Sequence, residues 1–85
     1  MRLDRLLVYL RFARTRSRAR AIVAQRRLRL NRKHVRRASQ KIAAGDVLTI
    51  MIGNEVRVIE VTALPQSRGS SEIARSHYRE LDRAG

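Results

Sequence analysis

Arg16, Arg20 and Arg27 stand four and seven residues apart, a spacing that on a continuous helix stacks guanidinium groups along one edge. A guanidinium is a planar fork of donors that grips phosphate bidentately and stacks on a base, which a Lys ammonium cannot do. The chain uses that group eighteen times and Lys only twice, at Lys33 and Lys41. Fifteen of these twenty cations lie in residues 1–41 against one acid, Asp4, so that stretch carries +14. The remainder sets five Arg against Asp46, Glu55, Glu60, Glu72, Glu80 and Asp82, a net of −1. Charge gathered in this way repels itself, and a polyanion relieves it. Nucleic acid is the implied partner.

Other chemistries lack their residues. Without cysteine there are no disulfides, no thiolate nucleophile and no zinc finger. His34 and His77 have no third ligand nearby in the sequence, so neither a metal nor another cofactor is expected. Asp4 has no second acid or base beside it and reads as a helix N-terminal charge or an orienting partner for an Arg. A chain of 85 residues buries only about 60–65% of its unfolded surface, which favours a surface-binding module over an enzyme cleft. Tyr9, Phe12 and Tyr78 are the only aromatics, too few for a base-stacking sheet. The uncharged run Val47–Asn54 is far short of the roughly 20 residues that span a bilayer. An Arg-rich, acid-poor N-terminus also fits a mitochondrial transit peptide. However, the basic pattern runs on into a strand signal at Leu28–Leu30, so cleavage would discard half of the only domain. A cytoplasmic protein is expected.

The elements that must position the arginines follow from periodicity. Leu3, Leu6, Leu7, Leu10 and Ala13 form a helical stripe, with Asp4 in the first turn. Arg14–Arg16 reads as a connector, and Ser17 suits the N-cap of a second helix whose apolar side is Ala19, Ile22 and Val23. From Arg27 the period changes to two. Leu28–Leu30 reads as a strand, Asn31–Lys33 as a turn before His34-Val35, and Ser39–Ala44 as a short stretch closing at Gly45-Asp46. Val47–Ile52 and Glu55–Thr62, separated by Gly53-Asn54, are a hairpin. After Pro65 comes a polar linker. From Ser71 a last helix is expected, with Ala74, His77, Tyr78 and Leu81 on one stripe. The predicted fold is α+β: a two-helix corner packed on a small antiparallel sheet, with a C-terminal helix.

Arg2-Leu3-Asp4-Arg5, Thr15-Arg16-Ser17, Leu28-Arg29-Leu30-Asn31 and Gly45-Asp46-Val47-Leu48 have the order and spacing of the S-four RNA-binding domain, named after ribosomal small-subunit protein four. The chain resembles that family from Arg2 to about Ala63. Arg11–Ser17, Gly53-Asn54-Glu55 and Ser71-Glu72…Tyr78 extend the resemblance toward its ribosome-associated, fifteen-kilodalton bacterial heat-shock subgroup. That subgroup carries a long basic C-terminal extension that this sequence lacks. The resemblance implies an RNA-binding domain over 1–64, with 65–85 a linker and short helix packed on it. It also implies an L-shaped RNA surface of Arg2 and Arg5, then Arg16, Ser17, Arg18 and Arg20, then Arg26, Arg27, Arg29 and Asn31. The family has Gly where Arg26 and Arg32 stand. A side chain forced into the left-handed region costs on the order of 1 kcal/mol, so remodelling of both turns is expected.

The expected function is recognition of structured RNA, ribosomal RNA of the large subunit, by a monomer that is not an enzyme. The alternative is a DNA binder, since two helices joined by a short turn can mimic a helix-turn-helix. Cations spread through connector and strand argue against a single recognition helix. A pseudouridine synthase fragment would need a catalytic domain that is not here, and a membrane binder would need the apolar stripe that the core uses.

Overall fold

The computed structural model describes residues 1–81. The leucine stripe forms α1, Leu3–Tyr9, in which Leu3, Leu6 and Leu7 are wholly buried. The N–H groups that open a helix need partners. Here a loop supplies them: Leu3 N–H donates to the Gln40 carbonyl at 2.8 Å and Asp4 N–H to that of Ala38 at 3.0 Å. The stretch around Ser39–Ala44 is this capping loop, touching the N-terminus through one antiparallel bridge, Arg2 with Lys41.

The second helix, α2, is Arg16–Ala24, and it starts two residues earlier than Ser17 as cap would require. Thr15 is the N-cap: its backbone is extended and its hydroxyl accepts the Arg18 N–H at 3.1 Å. Ser17 lies exposed within the first turn. Both residues are capping types, and the earlier start brings Arg16 into the helix where it reaches Asp4.

Both helices end the same way. After α1, Arg11 N–H bonds the Val8 carbonyl and Phe12 N–H that of Leu7; after α2, Arg26 bonds Val23 and Arg27 bonds Ile22. These are Schellman closures, which need a left-handed residue. Arg11 (φ 66°) and Arg26 (φ 58°) supply it in place of glycine.

The strands are β1 (Leu28–Leu30), β2 (Lys33–His34), β3 (Val47–Ile52), β4 (Glu55–Val61) and β5 (Tyr78–Glu80), in one antiparallel sheet ordered β2-β1-β3-β4-β5. Asn31 (φ 50°) and Arg32 (φ 73°) make the tight β1–β2 turn, the double positive φ of a type I′ hairpin. The Gly53-Asn54 turn joins β3 to β4 in the expected register, Ile52 opposite Glu55. Alternate residues Leu28, Leu48, Ile50, Ile59 and Val61 face the helices and close one core with Leu3, Leu6, Leu7, Ala19 and Val23. The architecture is α+β, as the periodicity implied.

The tail departs from a continuous helix. A short α3, Ser71–Arg75, capped by the Ser70 hydroxyl, gives way to β5 on the edge of β4. Ser76 hydrogen-bonds back to the Ile73 carbonyl and stops the helix, and the open β4 edge offers Tyr78–Glu80 a ladder. Ala74 and Tyr78 still reach the core side, Tyr78 with its ring 5.2 Å from that of Phe12. Arg79 pairs with Glu60 and Arg57 with Glu80 across the junction. Deleting everything after Gln66 is therefore expected to lower stability by about 2–5 kcal/mol, as core truncations do. Limited trypsin digestion checks it: Arg79 in a paired strand resists cleavage, and rapid cutting there with the rest still folded would mean the tail braces nothing.

Candidate nucleic-acid interface

The interface is organised by its one acid. Asp4 is wholly buried and is the only buried charged residue among those described. Arg2 donates to both of its oxygens at 3.1 Å, Arg16 to Oδ2 at 3.3 Å, and the Arg5 N–H to Oδ1 at 2.8 Å. Burial pushes this carboxyl up, but hydrogen bonds from Arg2 and Arg16, aided by their charges, outweigh it and hold it below its ordinary value. The carboxylate thus ties the start of α1 to the start of α2 and sets the angle of the corner. Each guanidinium stays about half exposed, 47% for Arg2 and 44% for Arg16. Arg2 commits two of its five N–H donors and Arg16 one, leaving the rest to face outward.

Around this clamp the exposed cations are free of acids. Among the described residues, Arg2 and Arg16 are the only cations of 1–41 in a salt bridge. Arg20 lies one turn beyond Arg16 on the same edge, its Nε donating to the Arg16 carbonyl at 3.4 Å. Arg5 is exposed on α1 and Arg18 on the other side of α2. Arg29 is exposed on β1, opposite His34 and Thr49.

Three residues sit differently from their expected places. Arg27 does not join the Arg16–Arg20 edge, because α2 ends at Ala24 and the left-handed Arg26 breaks the helical phase. It is half-buried, donates to Gln25 Oε1 at 3.2 Å, and lines a groove with Arg14 and Arg18. Arg16, expected on the arginine edge as an RNA contact, also holds the Asp4 clamp and so matters to the fold. Asn31 has both ends of its amide occupied: Nδ2 donates to Asp46 Oδ1 at 3.1 Å and Oδ1 accepts the Val47 N–H at 2.8 Å. It braces the β1–β2 turn against β3.

The two turns expected to be remodelled keep the left-handed form, with Arg26 and Arg32 in it. Among the described residues, three of the four non-glycine residues at positive φ are arginines of the basic half. Backbone strain of this kind persists where surrounding structure enforces it and gathers at functional surfaces. Arg26→Gly is expected to raise stability by about 1 kcal/mol in urea unfolding, since glycine takes this φ freely. A lower midpoint would mean that packing of the arginine stem outweighs the strain.

The basic surface is wider than the motif-based set. Lys41 lies beside Arg2 through the backbone bridge, and Arg36 and Arg37 are exposed on the strand-to-loop segment whose later carbonyls cap α1. Arg32 and Lys33 are exposed at the hairpin tip. The signal for these was present as plain charge, but none falls within a motif that marks contacts.

A small α+β chain whose charge is gathered on a helix-helix-strand face, with Asp4 buried beneath it and Glu60 and Glu80 paired in the sheet, is a surface-binding module for a polyanion. Residues 1–48 match the family model of the S4 domain, more than half of the chain, and the chain belongs to that family. Among solved structures it is similar to Heat Shock Protein 15 of Vibrio cholerae, described as trimeric, with a TM-score of 0.90 and 28% identity over 95% of this chain and 81% of that one. No match is found among curated proteins.

Proposed function

We propose that this protein binds structured RNA, without catalysing a reaction on it, and that its target is ribosomal RNA of the large subunit. The observation that carries the reading is the Asp4 clamp: one buried carboxylate fixes two half-exposed arginines at the apex of a surface otherwise free of ion pairs. Arginines held in advance lose less freedom on meeting phosphate. Arg2, Arg5, Arg16, Arg18, Arg20, Arg26, Arg27 and Arg29 make the contacts; Ser17 adds a hydroxyl, and Asn31 supports the turn rather than touching RNA. Phe12 and Tyr78 pack on each other, and Arg57 covers the Phe12 ring at 5.1 Å, so neither aromatic is free to stack on a base. Recognition then rests on helical shape and phosphate, the mode suited to A-form duplex.

The ribosomal target is supported by the family and by the heat-shock-type fold. In-cell crosslinking followed by sequencing tests it: large-subunit RNA should dominate the recovered reads, and a spread over messenger RNA would replace the target. Duplex DNA of matched sequence is expected to bind more weakly, and equal binding would favour the DNA-binding alternative. The proposal takes the protein as a cytoplasmic monomer. Sedimentation checks the oligomeric state, and a trimer like the Vibrio protein's would replace that part of the reading.

A further inference from the structure

Between α2 and the β3–β4 hairpin lies an open groove of about 560 Å³ that the Asp4 corner does not use. One wall is Ile22 on α2, the other Met51-Ile52 at the end of β3, and Arg14, Arg18 and Arg27 stand around it. Ile52, at the groove, is 36% exposed, and Met51, on the other face of the strand end, is 44% exposed. We propose that this groove receives one unstacked nucleotide of the bound RNA, its base against Ile22 and Ile52 and its phosphate on Arg14 and Arg18. The inference rests on the RNA reading above and adds a single-stranded element to it.

Three observations favour a nucleotide over another occupant. The arginines beside the groove have no acidic partner among the described residues, and the hairpin's acid, Glu55, sits across the turn without lining it. That sign suits a phosphodiester. Guanidinium planes over an aliphatic floor offer a base the flat, apolar contact that splayed-out RNA bases take from arginine and aromatic side chains. Gln25 supplies the polar group. Its Oε1 accepts from Arg27 at 3.2 Å, and because an arginine can only donate, this fixes the amide and leaves Nε2 to donate to a base edge.

The test compares two RNA duplexes, one fully paired and the other identical but for a single extruded uridine. The intact protein should bind the second about ten-fold more tightly, the scale of one stacked base. Ile52→Ser should abolish that preference and leave affinity for the paired duplex unchanged, because the residue lies outside the corner, whereas Met51→Ser, on the opposite face of β3, should keep the preference. Equal affinity of the unaltered protein for both duplexes overturns the proposal. So does an equal loss on both RNAs in Ile52→Ser, or a change in sedimentation that marks the groove as a contact between copies or with a bound peptide. Failure to bind either duplex defeats the RNA reading itself, a result distinct from lost preference.

Discussion

Asp4→Ala should lower folding stability by about 2–3 kcal/mol and weaken RNA binding at the same time. The first effect follows from leaving Arg2 and Arg16 without the carboxylate they share. Breaking a buried pair costs about 3–5 kcal/mol, and the half-exposed arginines, which water can still reach, place this case below that range. The second effect is the more telling, because the substitution raises the net charge by one. Were binding governed by net charge alone, affinity would rise. Pre-organisation predicts a fall, since the two arginines lose the geometry that aims their remaining donors. Urea unfolding and a binding titration on the same sample separate the two.

The pH dependence has a definite sign. The Asp4 carboxyl lies below its ordinary value of 3.8 in the folded protein, so it contributes stability that is fully present above that value. That contribution is lost as pH falls through the lower, folded value. Asp4→Asn should flatten this part of the acid-unfolding curve, and an unchanged curve would mean that other acids set it.

The second large effect is on affinity. Changing Arg16, Arg20 and Arg27 together to Ala should weaken RNA binding by about 3–6 kcal/mol, at about 1–2 kcal/mol for each lost charge-assisted contact. Arg20→Ala alone should leave stability unchanged, whereas Arg16→Ala should lower it by removing one arm of the Asp4 clamp. Arg68 and Arg75, exposed in the nearly neutral half, are the controls and should leave binding almost untouched. Arg57 is unsuitable as a control, because it packs over Phe12 and pairs with Glu80. If Arg68→Ala and Arg75→Ala weakened binding as much as the corner set, long-range charge rather than a localised surface would account for it.

What could be read in advance was what depends on short-range pattern. The Leu3–Ala13 stripe and the Val47–Thr62 hairpin are dictated by periodicity and a two-residue turn, and both form, with α1 ending at Tyr9, so that Ala13 packs in the core from beyond the helix, and β4 ending at Val61. Thr15 and Ser17 are equally good caps by type; only the pull of Arg16 toward a buried Asp4 decides between them. That contact spans two elements and has no local signature. The same holds for β5. Ala74, Tyr78 and Leu81 satisfy a helical period, but the vacant edge of β4 and the Ser76 stop outweigh five residues of weak helix. Arg27 illustrates the limit for the site: spacing predicts its direction only while the helix continues, and Arg26 ends that. Arg36, Arg37 and Lys41 were visible as charge, yet the place of Lys41 beside Arg2 depends on a loop folding back to cap α1.

The central claim, that the basic half is a phosphate-binding surface for RNA, is tested most directly by measuring affinity for structured RNA as a function of salt, with the unaltered protein and the Arg16/Arg20/Arg27 triple alanine variant side by side. A surface that neutralises about five to seven phosphates predicts a log–log slope of roughly −4 to −6, made shallower by about two to three in the variant. A slope near zero, or the same steep slope in both proteins, would contradict it.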